Sequence, residues 1–423
     1  MQGWLCCLGC SLLLASSWAA FIDVLYSQSP KGFMQSVGST QSSIAQNRLQ
    51  EYSTRDIGWI SGLYIFLGLF FGVQAGPLID MYGPSPLAPI AVLLTAAFYF
   101  LLAECTEYWH FMLCLGVLGG VQAALSGTLG IACIGKLFVG KKGLAMGLAL
   151  SGSSLGGVVY PIMLRELLAS TGFKGAFRAI GAMASGLAIV GAICLLPFPR
   201  LYERQCASET VELIERRKKF AVMSLTAFRS APFSYIAGGM VLLEFAIIGI
   251  SGLLPTFAIT AGFTKELGYN LVAILNACSC LGRVLPGFMA DRLGHFDVII
   301  LMILTTAGIT AALFVPFGTS STAVLYSFAA FWGFGSGSWL SIMPVCVGTT
   351  CEPKEYGRFY GTLNWAVSFA GLVALPIGGE LLQGTSAAAS SGLYLAAVVL
   401  GGICFIISRG YISGKMLTFR TGK

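Results

Sequence analysis

The sequence predicts an all-α polytopic membrane protein of about twelve transmembrane helices, and three observations carry this. Hydrophobic residues make up 56% of the 423 residues, charged residues only 10%, and the mean hydropathy is +0.81. Apolar runs of about 20 residues, the length that crosses the hydrocarbon core as a helix, recur along the chain. Segments of about ten residues with alternating polarity, which would build a transmembrane barrel, do not occur.

Taken in order between charged or Gly/Pro-rich breaks, the spans fall at Trp4–Tyr26, Ile57–Ile79, Leu87–Ala103, Phe111–Ile134, Leu144–Leu164 and Ala179–Pro197. They continue at Phe233–Ile259, Leu271–Ala290, Val298–Val315, Ala323–Val347, Leu363–Leu382 and Leu393–Ser408. The third and twelfth are short, which leaves counts of eleven or thirteen open. The first has small residues at Ala15-Ser16-Ser17 and Ala19-Ala20 and an alternative as a secretory signal peptide, but no Lys or Arg precedes Lys31. The polar stretch Phe198–Pro232 divides the spans six and six. This predicts an N-terminal bundle at 1–197, a cytosolic central loop at 198–232, and a C-terminal bundle with a short cytosolic tail at 233–423.

Lys and Arg set the orientation, since positive flanks stay cytoplasmic. Lys136, Lys141, Lys142, Arg200, Arg292, Lys354, Arg358 and Arg409 fall on one side together with the run Arg216-Arg217-Lys218-Lys219. Both termini are therefore expected in the cytosol, with the plasma membrane as the location. The net charge of +7 then reflects topology and calls for a lipid bilayer, not for nucleic acid. The basic run is either a solvated linker or a contact with anionic lipid heads.

The halves echo each other. Gly76-Pro77-Leu78-Ile79-Asp80-Met81-Tyr82-Gly83 ends the second span and Gly287-Phe288-Met289-Ala290-Asp291-Arg292-Leu293-Gly294 ends the eighth. Each reads G-x-x-x-D-x-x-G, with glycines suited to tight turns and close helix approach and an Asp placed to cap a helix end. Gly68, Gly72 and Gly76, and likewise Gly152 and Gly156, recur every four residues, a spacing that lets helices approach closely or slide.

These paired loops resemble the signature of the major facilitator superfamily. The resemblance implies two pseudo-symmetric six-helix bundles that rock about a central site, with Gly76, Asp80, Gly83, Gly287, Asp291, Arg292 and Gly294 as gating loops. The first copy departs from the pattern at Met81 and Pro84, where basic residues are usual, which leaves its gating contacts open. Three further stretches, Phe138–Gly157, Asn276–Arg283 and Gly357–Gly361, are similar to monocarboxylate porters, above all the fungal branch. That family carries a cytosolic tail before its first helix, whereas this chain reaches the membrane at Trp4. A shortened N-terminus or a misassigned start is expected, and residues 27–42 look like an insert, genuine or from an unspliced intron.

Candidate site residues follow. Arg283 lies within an otherwise apolar span, where a guanidinium costs roughly 2.5–3.5 kcal/mol and normally faces a protein-lined cavity. Its fork suits a carboxylate, and the resemblance implies the substrate-contacting arginine of the eighth helix at this position. The alternative is a structural arginine bonded to helix carbonyls. The animal branch has an Asp where Ser279 stands here, so proton–lactate symport by that mechanism is not implied. Asn276 and Trp339 complete the substrate-binding candidates, the latter from an aromatic group with Trp332 and Phe334 suited to the apolar part of a ligand, against which an ordinary lipid- or core-facing role is the favoured alternative. Glu244, near the middle of the seventh span, is the proton-coupling candidate. Its depth differs from that of Arg283 by roughly 7 Å at the helical rise, so a salt bridge needs a reaching Arg. Structural burial is the competing role.

Catalysis finds little support. Only two His occur, and neither a zinc-protease motif, a nucleophile elbow nor a phosphate loop is present. The 13 Cys scatter through apolar spans as small hydrophobes, Cys7-Leu8-Gly9-Cys10 included. No cofactor or metal is expected. The sequence points to a secondary active transporter of a small, anionic organic acid or related metabolite, with a transport-inactive nutrient sensor as the alternative.

Overall fold

The computed structural model describes residues 2–25, 54–138, 140–205, 225–318 and 320–413. The insert at 27–42, the basic run at 215–219 and the tail beyond 413 lie outside the described residues. Within the described residues the chain is helical throughout. The first half contains α1 (Gln2–Leu25), α2 (Thr54–Phe70 continued by Gly72–Tyr82), α3 (Pro84–Glu104), α4 (Tyr108–Leu137), and α5 and α6 (142–171 and 173–194). The second contains α7 (Ala231–Thr260), α8 (Lys265–Leu293), α9 (His295–Phe317), α10 (Thr322–Val347), α11 (Tyr356–Gly384) and α12 (Ala387–Ser413).

Ten of the described helical segments are long and apolar enough to cross a membrane. The 24-residue α1 and the 26-residue α10 complete the dozen. Gly333, Gly335, Gly337, Ser336, Ser338 and Ser341 interrupt the apolar run of α10. The third and twelfth spans, short in the sequence, are 21 and 27 residues long. α3 starts directly at Pro84, whose fixed φ suits a first helical turn.

The turns explain the octets. Gly83 at φ 70° and Gly294 at φ 105° end α2 and α8, a left-handed conformation that glycine adopts without strain. Gly172 at φ 69° breaks the helical stretch Lys142–Cys194 into α5 and α6. Pro77, Pro161, Pro255, Pro286, Pro344 and Pro376 all sit inside helices, as neighbouring helices in a bundle allow. α4 and α9 each carry a π-helical stretch, at Met112–Leu118 and Thr310–Phe314.

Packing within each half follows one plan. α1 lies on α5 and α6, and α7 lies on α11 and α12. Between the halves, α2 meets α11 and α5 meets α8, two seams that exchange under the pseudo-twofold. The central cavity lies between them.

Candidate functional site

The seams are built from the octet residues. At the first, a Cβ on Gly76 would collide with the Gly357 carbonyl, and one on Gly357 would lie 2.7 Å from Asp80 Oδ1. At the second, a Cβ on Gly287 would lie 2.5 Å from the Gly143 carbonyl. Only glycine lets the backbones of opposite halves approach this closely. Gly72 also faces α11, at Asn364, whereas Gly68 faces α4, so the four-residue stripe serves two different neighbours.

Each octet Asp caps a helix of the other half. Asp80 accepts from Gly357 N at 3.1 Å and Arg358 N at 2.7 Å, the first N–H groups of α11. Asp291 accepts from Gly143 N at 2.7 Å and Leu144 N at 2.8 Å, the first of α5. A helix N-terminus offers unpaired donors and partial positive charge, so a carboxylate is the natural partner. The first octet, despite Met81 and Pro84, makes the same pair of bonds as the second. Its cation comes from α4, where Lys136 Nζ stands 2.6 Å from Asp80 Oδ1 with both side chains buried. The second takes its neighbour from α9, with His295 Nε2 3.2 Å from Asp291 Oδ1. Arg292 lies over the Phe288 ring at 4.3 Å. These contacts hold the halves together at one end of the molecule.

Further in, residues of both halves line a central cavity of about 110 Å³. α8 brings Arg283, Asn276 and Ser279, α7 brings Glu244, α5 brings Leu150 and Ser153, and α11 brings Tyr360 and Asn364. Met240, Leu275 and Met343 are among the apolar residues of the wall. Arg283 is 6% exposed, and its Nη1 donates to the Leu150 carbonyl and to Ser153 Oγ, both on α5. It therefore bonds a helix carbonyl and lines a cavity at once. Glu244 is equally buried at 6%, and its Oε2 has no hydrogen-bond partner among the described residues. Asn276 Nδ2 is likewise without one.

Three of the four residues expected at the site thus share the cavity. Trp339 is fully buried beside it, edge-on to Trp332 with ring centroids 5.6 Å apart, and does not line the wall. Trp332 Nε1 donates to Ser251 Oγ at 3.2 Å, and Ser251 does line it. Ser153, Tyr360 and Asn364 were not singled out in the sequence as site residues. For the last two the available signal was a polar pair four residues apart at the start of the eleventh span, Tyr360 just before it and Asn364 just inside. Among the described residues no cluster of His, Cys, Asp and Glu is arranged to hold a metal ion.

Two six-helix halves meeting over a mostly apolar cavity that holds a buried Arg and a buried Glu are the architecture of a two-bundle membrane carrier. The chain matches the Major Facilitator Superfamily over residues 8–376 and belongs to that family of transporters. It is 28% identical to the riboflavin transporter MCH5 of Saccharomyces cerevisiae over 90% of this chain and 76% of that protein. It is 30% identical to the aspyridones efflux protein apdF of Emericella nidulans over 88% of this chain and 72% of that one. In three dimensions it resembles the human organic anion transporter MFSD10 with a TM-score of 0.70, covering 95% of this chain and 98% of that chain. At 15% identity that likeness shows the fold alone.

Proposed function

We propose that this transporter carries a small organic acid or related metabolite in the manner of the fungal monocarboxylate porters, with Arg283 as the anion-binding group. The observation that carries this is a buried guanidinium and a buried carboxylate, one of whose oxygens has no hydrogen-bond partner among the described residues, in one cavity lined by both halves. An arginine so placed binds a carboxylate through charge-assisted, bidentate hydrogen bonds. Asn276 supplies a second donor, and the apolar wall receives the rest of the ligand. Glu244 is the proton carrier, since a desolvated carboxyl that alternates between charged and neutral forms can couple proton and substrate movement.

The efflux activity named for apdF supports export of a secondary metabolite across the plasma membrane, with both termini and the octet seams on the cytosolic side. The test compares metabolites in cells and medium on deletion and overexpression of the gene, followed by flux of the identified acid in proteoliposomes. Arg283→Ala should abolish saturable flux without removing the protein from the membrane. Unchanged flux in Arg283→Ala would refute the anion-binding role, and unchanged pH dependence in Glu244→Gln would refute the proton carrier.

A further inference from the structure

The α5–α8 seam and the anion site share one group. The backbone of α8 at Arg283 presses on α5 at Gly147, where a Cβ would collide with the Arg283 carbonyl. From that crossing the guanidinium reaches along α5 to the Leu150 carbonyl and the Ser153 hydroxyl. Leu150, Ser153 and Arg283 all line the cavity. An anion entering it therefore meets a cation whose Nη1 is already engaged by the opposite half.

We infer that Ser153 Oγ and the Leu150 carbonyl act as an internal competitor for the substrate anion, engaging Arg283 only while the α5–α8 seam is shut. This rests on Arg283 being the anion-binding group. Opening the end that bears Gly143 and Gly287 carries α5 away from α8, because the two helices belong to bundles that move as bodies. A hydrogen bond tolerates only a few tenths of an ångström before it weakens, so parting the seam releases Nη1. The cavity then binds an anion more tightly with the seam open than with it shut, and by linkage the anion favours the open seam. Substrate is taken up firmly from the face bearing Asp80 and Asp291 and released more readily toward the opposite face. With those octets in the cytosol, this bias is the one an exporter needs.

The test measures the seam directly in the full chain, with spin labels on cysteines introduced at Lys141 and Leu293, two exposed positions on opposite sides of the seam, in a background depleted of native cysteines. Without ligand, Ser153→Ala should raise the ratio of open to shut seam about tenfold, the effect of losing one hydrogen bond to a charged group. Arg283→Gln, which removes the Leu150 contact as well, should raise it at least as far, and the double variant should open it no further than Arg283→Gln alone, since the Ser153 contact is already lost with the guanidinium. Ser154→Ala, at a buried hydroxyl with no hydrogen-bond partner among the described residues, should leave the ratio unchanged. Benzoate, used as the anion probe, should open the seam in the unsubstituted chain and not in Arg283→Gln. An unmoved ratio in Ser153→Ala, or additivity in the double variant, overturns the competitor. A Ser153→Ala response together with indifference to benzoate instead overturns anion binding at Arg283 and leaves a plain latch between α5 and α8.

Discussion

Gly76→Ala offers a sharp test of the α2–α11 seam. The added Cβ would stand 2.7 Å from the carbonyl carbon of Gly357 and 3.3 Å from Arg358 N, and all of these are backbone atoms that cannot rotate aside. Two carbons need about 3.5 Å, so relieving the carbonyl carbon alone parts the helices by roughly 0.8 Å, and the Gly357 carbonyl oxygen, which lies nearer still, requires more. That displacement acts on the same N–H groups that Asp80 holds at 3.1 and 2.7 Å. Overpacking of this kind costs about 1–3 kcal/mol, charged only to the conformation in which the seam is shut. The shut population should fall by roughly 5- to 150-fold relative to the open one. Hydrogen exchange of the peptide covering 353–361, followed by mass spectrometry, reads this as faster exchange at Gly357 and Arg358. Gly68→Ala is the control, because its Cβ would meet Ala123 at 3.6 Å, an ordinary contact within the first half. Equal protection of 353–361 in Gly76→Ala and in the control would show that the seam does not depend on this approach.

Three other substitutions probe separate parts of the structure. Asp291→Asn replaces a carboxylate that accepts two backbone N–H groups with an amide that can accept through only one oxygen, and should weaken the shut α5–α8 seam by about 1.5–3 kcal/mol, seen as faster exchange across 142–146. Tyr394→Phe removes a hydroxyl that donates to the Ala374 carbonyl at 2.7 Å in a fully buried position between α11 and α12, and should lower unfolding stability by about 1 kcal/mol without moving either seam. Asp297→Ala removes the carboxylate that Arg409 meets at the junction of α9 and α12, where both side chains are largely buried, and should cost about 1–3 kcal/mol, measured by denaturant titration in detergent.

Most of the architecture was legible in the sequence because the bilayer imposes one length on every span and one penalty on every stray charge. The boundaries that shifted did so for tertiary reasons. α11 begins at Tyr356, seven residues before the apolar run at Leu363, so that Gly357, Arg358 and Gly361, which precede the span in the sequence, belong to its first turns. Its first N–H groups are held by Asp80, which is 277 residues from Gly357 in sequence. No local propensity could report a cap supplied by the other half. The π-helical stretches in α4 and α9 were equally silent, since Met112–Leu118 and Thr310–Phe314 are apolar like their surroundings.

The site divides along the same line. Arg283 and Glu244 stood out because an ionisable group at membrane depth is costly wherever it points. Ser153 and Tyr360 did not, because hydroxyls are common in such helices and gain meaning only from what they face. Trp339 shows the converse, an aromatic residue whose size suggested a ligand surface and whose actual neighbour is Trp332. On α10 the cavity is faced by Ser336, Leu340 and Met343, residues three and four apart on one side of the helix. The two seams also differ in a way that composition could not reveal. One carries the buried Lys136–Asp80 pair at its end, whereas the other runs from Asp291 inward to Arg283 and so connects the closed end to the cavity. On the proposed reading a ligand that draws on Arg283 meets α11 at Tyr360 and Asn364 as well, but only the α5–α8 seam shares a hydrogen bond with the group that would hold the anion.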